Sequence, residues 1–370
     1  MSGYIIFLTC MIVVLPQVYK NKEFNIFLFT VLAGIICGLR NPDNGVDTQN
    51  YYAIYHQLSS MGSYSILADS SDYEIGFRFL AYLVSVFSSD PSVFIFLTSF
   101  ITSALIGVFI YYNTDEKYYW IACFLFVCLG MYSMLFNIIR QYLATAVACN
   151  FFTFLQKDKY IHALMILVIS ILFHNSLIIM LPIFVLLVLA RKMLEYTSNK
   201  YKIVILFIAI PIALYVLFFC FSDFMVENFY TYFMYFNSQR YSEATEKLNL
   251  MSASIEVGYL ALIFISIKRA ENICVMKKVV SLSVLLMFSF YSFILMSTVS
   301  LIFYRLEFIF SIYVCILAST YFSLLSNNLY KKMLLLIVLL GGSFSLWWIL
   351  ITSYSLGVLS GLKQNMYNQS

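Results

Sequence analysis

Long apolar runs separated by short polar or charged segments recur along the whole chain. Several of them, at about 15 to 21 residues, are roughly long enough to cross, as a helix, a hydrocarbon core about 30 Å thick. They predict spans at Gly3–Tyr19, Phe24–Leu39, Ile75–Ser88, Ser92–Tyr112, Tyr118–Leu135, Asn137–Leu155, Ile161–Phe173, Leu177–Ala190, Ile203–Phe221, Ser254–Ile267, Val279–Met296, Leu301–Ser323 and Met333–Thr352. A lone helix satisfies its own backbone hydrogen bonds in lipid and an open sheet does not. The expected fold is therefore all-α, a polytopic membrane protein of about 12–13 transmembrane or re-entrant helices. It reads as a single helical domain over 1–355, with outer loops at about 40–74 and 222–253 and a polar tail over 356–370.

Composition agrees with the pattern: 62 % of residues are hydrophobic and 11 % charged, where soluble domains carry about a quarter charged residues. The net charge of +4, from 22 basic and 18 acidic residues, is too mild to predict a nucleic acid partner. Eight cysteines are scattered through apolar segments without paired spacing, and read as small core residues. The first span has no small-residue cleavage site after it and reads as a retained helix.

The distribution of charge orients the chain. Lysine and arginine gather in "KNKE" after the first span, "QKDK" from Gln156, "ARKMLEYTSNKYK" from Ala190, "KRAENICVMKK" from Lys268 and "NNLYKK" from Asn327, and these segments are expected on the cytoplasmic side. The loops Arg40–Glu74 and Ser222–Ala253 are acidic and should face outward. An outward Arg40–Glu74 and an inward "QKDK" require one intervening span not to cross. Ile75–Ser88, short and carrying Arg78, Ser85 and Ser88, is expected to be re-entrant or to lie in the outer interface. The alternative is a single tilted helix across residues 161–190.

Ionisable residues inside spans need a partner, water or a substrate, since a charge at mid-bilayer costs about 2.5–3.5 kcal/mol. Asn137, Arg140, Gln141, Ala144 and Ala148 share one face of a helix, a polar stripe suited to a cavity. The competing reading is an arginine that snorkels to the headgroups. His174, Asn175 and Ser176 interrupt two short apolar runs, and this predicts a helical hairpin with its turn below the outer surface. Histidine there could move a proton near neutral pH, or the turn is simply polar. Arg305 and Glu307 are two apart and do not face each other. Glu256 is placed to neutralise an arginine of another helix.

In this topology Arg40, Asp47, Glu74, Arg140, His174 and Arg305 come to one depth at the outer surface, although they are distant in sequence. Arginines suit a diphosphate because the planar guanidinium presents paired donors and stays charged. A carboxylate or imidazole could take a proton from an attacking hydroxyl. The chain has no Gly-x-x-x-x-Gly-Lys phosphate loop, His-Glu-x-x-His pair, Gly-x-Ser-x-Gly elbow or clustered Cys/His set. No metal site and no cofactor are expected.

The ordered segments "GLRNPDNGVDTQNYYAIY", "YEIGFRFL", "FNIIRQYLATAV", "LFHNSLIIMLP" and "FYRLEFIF" resemble the EpsG family of Wzy-type polysaccharide polymerases over roughly residues 1–350. Most specific are Asn-x-x-Arg-Gln-x-x-Ala at Asn137–Ala144 and Phe-His-x-Ser at Phe173–Ser176; Gly-x-Asp-x-x-x-Tyr at Gly45–Tyr51 is looser. The resemblance implies a multi-pass enzyme of the bacterial inner membrane with an architecture like the GT-C glycosyltransferases. It would join undecaprenyl-diphosphate-linked oligosaccharides into O-antigen, capsule or exopolysaccharide at the outer face. A chain-length regulator and a flippase would be its pathway partners. Arg140 and Arg305, then Arg40, would contact the diphosphate, with Asn137, Gln141 and Tyr51 in support. His174, Asp47 and Glu74 compete for the base. A flippase or exporter of lipid-linked oligosaccharide, and a membrane acyltransferase using His174, are the alternatives.

Overall fold

The computed structural model describes residues 8–12, 14, 20–42, 47–60, 73–196, 250–298, 303–325 and 330–331. Most of the expected first span lies outside the described residues, as do the spans Ile203–Phe221 and Met333–Thr352, residues 222–249 of the second outer loop and the tail. Among the described residues every regular element is helical. In chain order they are α1 (Lys22–Gly38), α2 (Thr48–Ser60), α3 (Ile75–Ser85), α4 (Pro91–Asn113), α5 (Tyr119–Cys128), α6 (Met131–Met134) and α7 (Ile139–Cys149). Then follow α8 (Phe151–Gln156), α9 (Tyr160–Phe173), a 3₁₀ turn over Asn175–Ile179, α10 (Met180–Tyr196), α11 (Leu250–Arg269), α12 (Ile273–Thr298), α13 (Phe303–Ser311) and α14 (Tyr313–Leu324). The runs Pro91–Asn113, Asn175–Tyr196, Ile273–Ile294 and Arg305–Leu324 are each long and apolar enough to cross a bilayer, and α3, α5 and α9 are shorter apolar helices. The chain is an all-α, multi-pass membrane protein.

Side-chain contacts sort the helix ends into two sets. At one end, Lys22 Nζ donates to the Thr114 carbonyl (2.6 Å) and Lys278 Nζ to that of Asn113 (2.8 Å), so two cations close the C-terminus of α4. At the same end Arg191 Nη2 meets Asp158 Oδ1 (2.9 Å), Lys277 bonds Glu195, and Lys331 Nζ reaches the Tyr118 hydroxyl (3.2 Å). At the opposite end Thr48 Oγ1 donates to the Phe136 carbonyl (3.0 Å), the Tyr55 hydroxyl to that of Ser88 (2.6 Å), and Gln141 Nε2 to that of Arg305 (2.8 Å). The basic loops of the sequence thus share one end.

This placement decides between the two readings of residues 161–190. Arg191, near the end of α10, returns to Asp158, just before the start of α9. The two helices therefore run antiparallel as a hairpin whose turn is at His174. The segment Ile75–Ser85 is about 16 Å long as a helix. It begins beside His174 and leads to Ser88, whose carbonyl is held by Tyr55 at that same end, so α3 lies along that end and does not cross.

Helix α1 packs antiparallel on α4 through glycines one turn apart. A Cβ on Gly38 would lie 2.7 Å from Phe96 Cδ2 and 3.0 Å from its Cα, and one on Gly34 would lie 2.8 Å from Phe100 Cδ2. Lipid supplies no hydrophobic drive between helices, so close backbone approach of this kind is how they adhere.

The span expected at Asn137–Leu155 differs in two places. Its helix starts at Ile139, because the chain turns through 135–138 and Asn137 Nδ2 donates back to the Ser133 carbonyl (3.4 Å). It then breaks at Asn150, whose Nδ2 bonds the carbonyls of Ala146 (2.8 Å) and Leu105 (3.1 Å). Asn137 is consequently not on the α7 face that carries Arg140, Gln141, Ala144 and Ala148.

Burial works against the Asp158 charge, but the hydrogen bonds from Arg191 and Tyr160 and the nearby Lys277 outweigh it and hold the carboxyl below its usual range. Arg191 is 1 % exposed. Asp158→Asn keeps a residue that tolerates the left-handed backbone here (φ 54°) but strands a buried cation. It is expected to cost about 1–3 kcal/mol, more than Arg191→Met, which removes the buried charge altogether. Thermal unfolding of the detergent-purified variants checks the order, and the reverse order would contradict it.

Candidate functional site

The site end is organised around the break after α9. His174 is extended (φ −160°, ψ 121°), and its N–H still bonds the Ser170 carbonyl (3.1 Å). Gly76 lets the first turn of α3 lie directly on this helix end, since a Cβ there would sit 2.7 Å from the Leu172 carbonyl oxygen. Glu74, just before α3, is thereby brought to His174. Its Oε1 accepts from His174 Nδ1 (2.7 Å) and from the Asn175 N–H (3.0 Å), and its Oε2 pairs with Arg140 Nη1 (3.0 Å).

Protonation states follow from this geometry. The Glu74 side chain is 8 % exposed. Burial alone would raise its pKa, but the bonds from His174 and Asn175 and the Arg140 charge outweigh that and hold it at about 2. An ionised carboxylate only accepts, so Nδ1 of His174 carries a hydrogen, and in the neutral ring Nε2 is the nitrogen with the lone pair.

Arg140 is the second residue of α7. Its guanidinium lies over the rings of Tyr73 (5.3 Å) and Phe77 (5.9 Å), favourable cation–π contacts, and its backbone N–H donates to the Tyr51 hydroxyl (3.3 Å). Burial raises the pKa of that hydroxyl despite the nearby arginine. Gln141 bonds the Arg305 carbonyl, which fixes α13 against the start of α7.

These groups surround one cavity of about 180 Å³. Asp47, Tyr51, Arg140, Gln141, His174 and Arg305 line it, and Glu74 stands behind Arg140 and His174. Asn50, Ile54, Tyr73 and Ile138 complete the wall. Tyr73 had no signal of its own in the sequence beyond adjacency to Glu74.

Arg40 and Asn137 are not among the lining residues. Arg40 is buried and bonds the carbonyls of Cys37 (3.0 Å) and Leu135 (3.3 Å), Ser99 Oγ (3.3 Å) and Thr48 Oγ1 (3.2 Å), with its guanidinium over the Phe136 ring (5.4 Å). It clamps the end of α1, the start of α2 and Ser99 within α4 to the turn after α6. Glu256 accepts from Ser289 Oγ (3.4 Å), and among the described residues it forms no ion pair with the arginine expected for it.

The chain matches the EpsG family over residues 5–364. It is similar to the amylovoran biosynthesis protein AmsC of Erwinia amylovora, 29 % identical over 169 residues. That match covers 43 % of this chain and spans less than half, 44 %, of the relative. No solved structure matches it significantly. With the family match extending over nearly its whole length, the chain belongs to the EpsG family.

Proposed function

We propose that this protein is a polysaccharide polymerase of the bacterial inner membrane that joins undecaprenyl-diphosphate-linked oligosaccharide repeat units by glycosyl transfer. Membership of the EpsG family and the likeness to a protein of amylovoran biosynthesis support a role in exopolysaccharide formation. The observation that carries the reading is the cavity itself, where two arginines and a carboxylate-oriented histidine meet at the end opposite the basic loops. By the positive-inside rule the basic end faces the cytoplasm, and the cavity then opens toward the outer face.

The chemistry runs as a substitution at the anomeric carbon of the donor glycan. A hydroxyl of the acceptor unit loses its proton to His174 Nε2 as its oxygen bonds the anomeric carbon. The bond from that carbon to the diphosphate oxygen breaks, and its electron pair leaves with the lipid diphosphate. Arg305 and Arg140 stabilise the charge developing there. Glu74, bound to His174 Nδ1–H, holds the tautomer that leaves Nε2 free to accept and stabilises the imidazolium that forms. Glu74 is thus a positioning residue, with its own pKa of about 2 too low for a base. Asp47 remains the second candidate for that role. Arg40 is assigned to the fold, as the clamp described above.

The test is extension of a purified undecaprenyl-diphosphate-linked repeat unit by the detergent-purified protein. Ladders of multiple repeats are expected. Unextended units with a folded protein would overturn the proposal. Trapping of lipid-linked units on the inner side after deletion of the gene would favour a flippase.

A further inference from the structure

Gln141 has an amide that the protein satisfies by half. Its side chain lines the cavity, yet the residue is 4 % exposed. Its Nε2 donates to the Arg305 carbonyl at 2.8 Å. A carbonyl accepts only, so this contact fixes which way the amide points. The other atom, Oε1, is buried and has no hydrogen-bond donor among the described residues. A buried acceptor left bare is unfavourable, and at the wall of a cavity it marks where a ligand's donor completes the structure.

The chemistry of that donor can be narrowed. An ionised diphosphate presents only acceptors and would be repelled by Oε1. Asp47, also on the wall, has the same preference when ionised. The cavity therefore carries two kinds of group: guanidinium donors from Arg140 and Arg305, which suit the anion, and oxygen acceptors, which suit hydroxyl or amide hydrogens. Resting on the polymerase reading above, we infer that Gln141 is a specificity-determining residue. Its Oε1 accepts a hydrogen bond from a hydroxyl or acetamido N–H of the sugar beside the bond being made, while the arginines hold the diphosphate.

The experiment compares wild type with Gln141→Met and Gln141→Glu on the native lipid-linked repeat unit and on a set of its analogues, each lacking one hydroxyl or acetamido group. In wild type, one analogue is expected to be extended about tenfold or more slowly than the native unit, because its loss leaves Oε1 unpaired. In Gln141→Met that same analogue should be extended as fast as the native unit, since the acceptor is gone. Gln141→Glu keeps an oxygen acceptor and should retain the discrimination even if its overall rate falls with loss of the Arg305 contact. A Gln141→Met variant that is slower but discriminates among analogues as wild type does would show a purely structural role and overturn the inference. So would a wild type indifferent to every single deletion. Failure of wild type to extend the native unit at all would instead overturn the polymerase reading.

Discussion

Arg140→Ala is expected to lower polymer formation by about 10²–10³-fold, with the protein still inserted in the membrane. Removing one donor aimed at a developing oxyanion costs about 2.7–4 kcal/mol in comparable sites. Here the guanidinium is also the charge partner of Glu74 at 3.0 Å, and its loss leaves that carboxylate, 8 % exposed, without its cation. Stability and activity should therefore fall together. The double variant Arg140→Ala with Glu74→Gln separates them: it is expected to recover thermal stability and no activity. Arg140→Lys should rescue poorly, because an ammonium is a single point charge and cannot serve Glu74, the two rings and a diphosphate from one planar group. Arg305→Ala makes the informative contrast, since no ion pair to Arg305 forms among the described residues; it should lose activity with little loss of stability. Extension assays alongside thermal unfolding check all four variants, and full activity in Arg140→Ala would refute its role.

Glu74→Gln is expected to cost about 10²–10⁴-fold in the extension rate. A glutamine amide can present either its oxygen or its nitrogen to His174 Nδ1, so the tautomer with the free Nε2 lone pair is no longer enforced. The pH dependence gives a second check. The folded pKa of Glu74 is lowered from 4.5 to about 2. Its contribution to stability is therefore fully present above about 4.5 and is lost as pH falls toward 2. An acid limb in the rate near neutral pH would belong to another group and should persist, at a changed position, in Glu74→Gln. An unchanged rate and profile in that variant would refute the positioning role.

Much of the architecture was legible in the sequence because lipid penalises charge so heavily. Arg140, His174 and Arg305 stand out in apolar surroundings, and the basic loops divide the chain into two ends without any knowledge of contacts. The hairpin turn at His174 was legible because polar His174, Asn175 and Ser176 interrupt the apolar runs Ile161–Phe173 and Leu177–Ala190; the continuation of the second helix to Tyr196, which makes it long enough to cross, was not. Other features were hidden by the same uniform hydrophobicity. The breaks at 135–138 and Asn150 depend on asparagine side chains bonding particular carbonyls, and hydropathy is blind to that competition. Arg40 looks like Arg140 in one dimension. Only packing distinguishes a guanidinium surrounded by the protein's own carbonyls from one that borders open space. Glu74 was legible as a candidate, but not as the shared partner of Arg140 and His174, since that requires the close approach allowed by Gly76.

The sharing of Glu74 also bears on turnover. In the polymerase proposed above, a pair of uncompensated arginines would bind the released lipid diphosphate as firmly as the charge developing during the reaction, and the site would stall on its own product. With Arg140 already paired to Glu74, the proposed site attracts an anion less strongly than two free guanidinium groups would, and product departure is eased at the expense of ground-state affinity. On this view Glu74 sets how readily the site empties between successive additions to a growing chain.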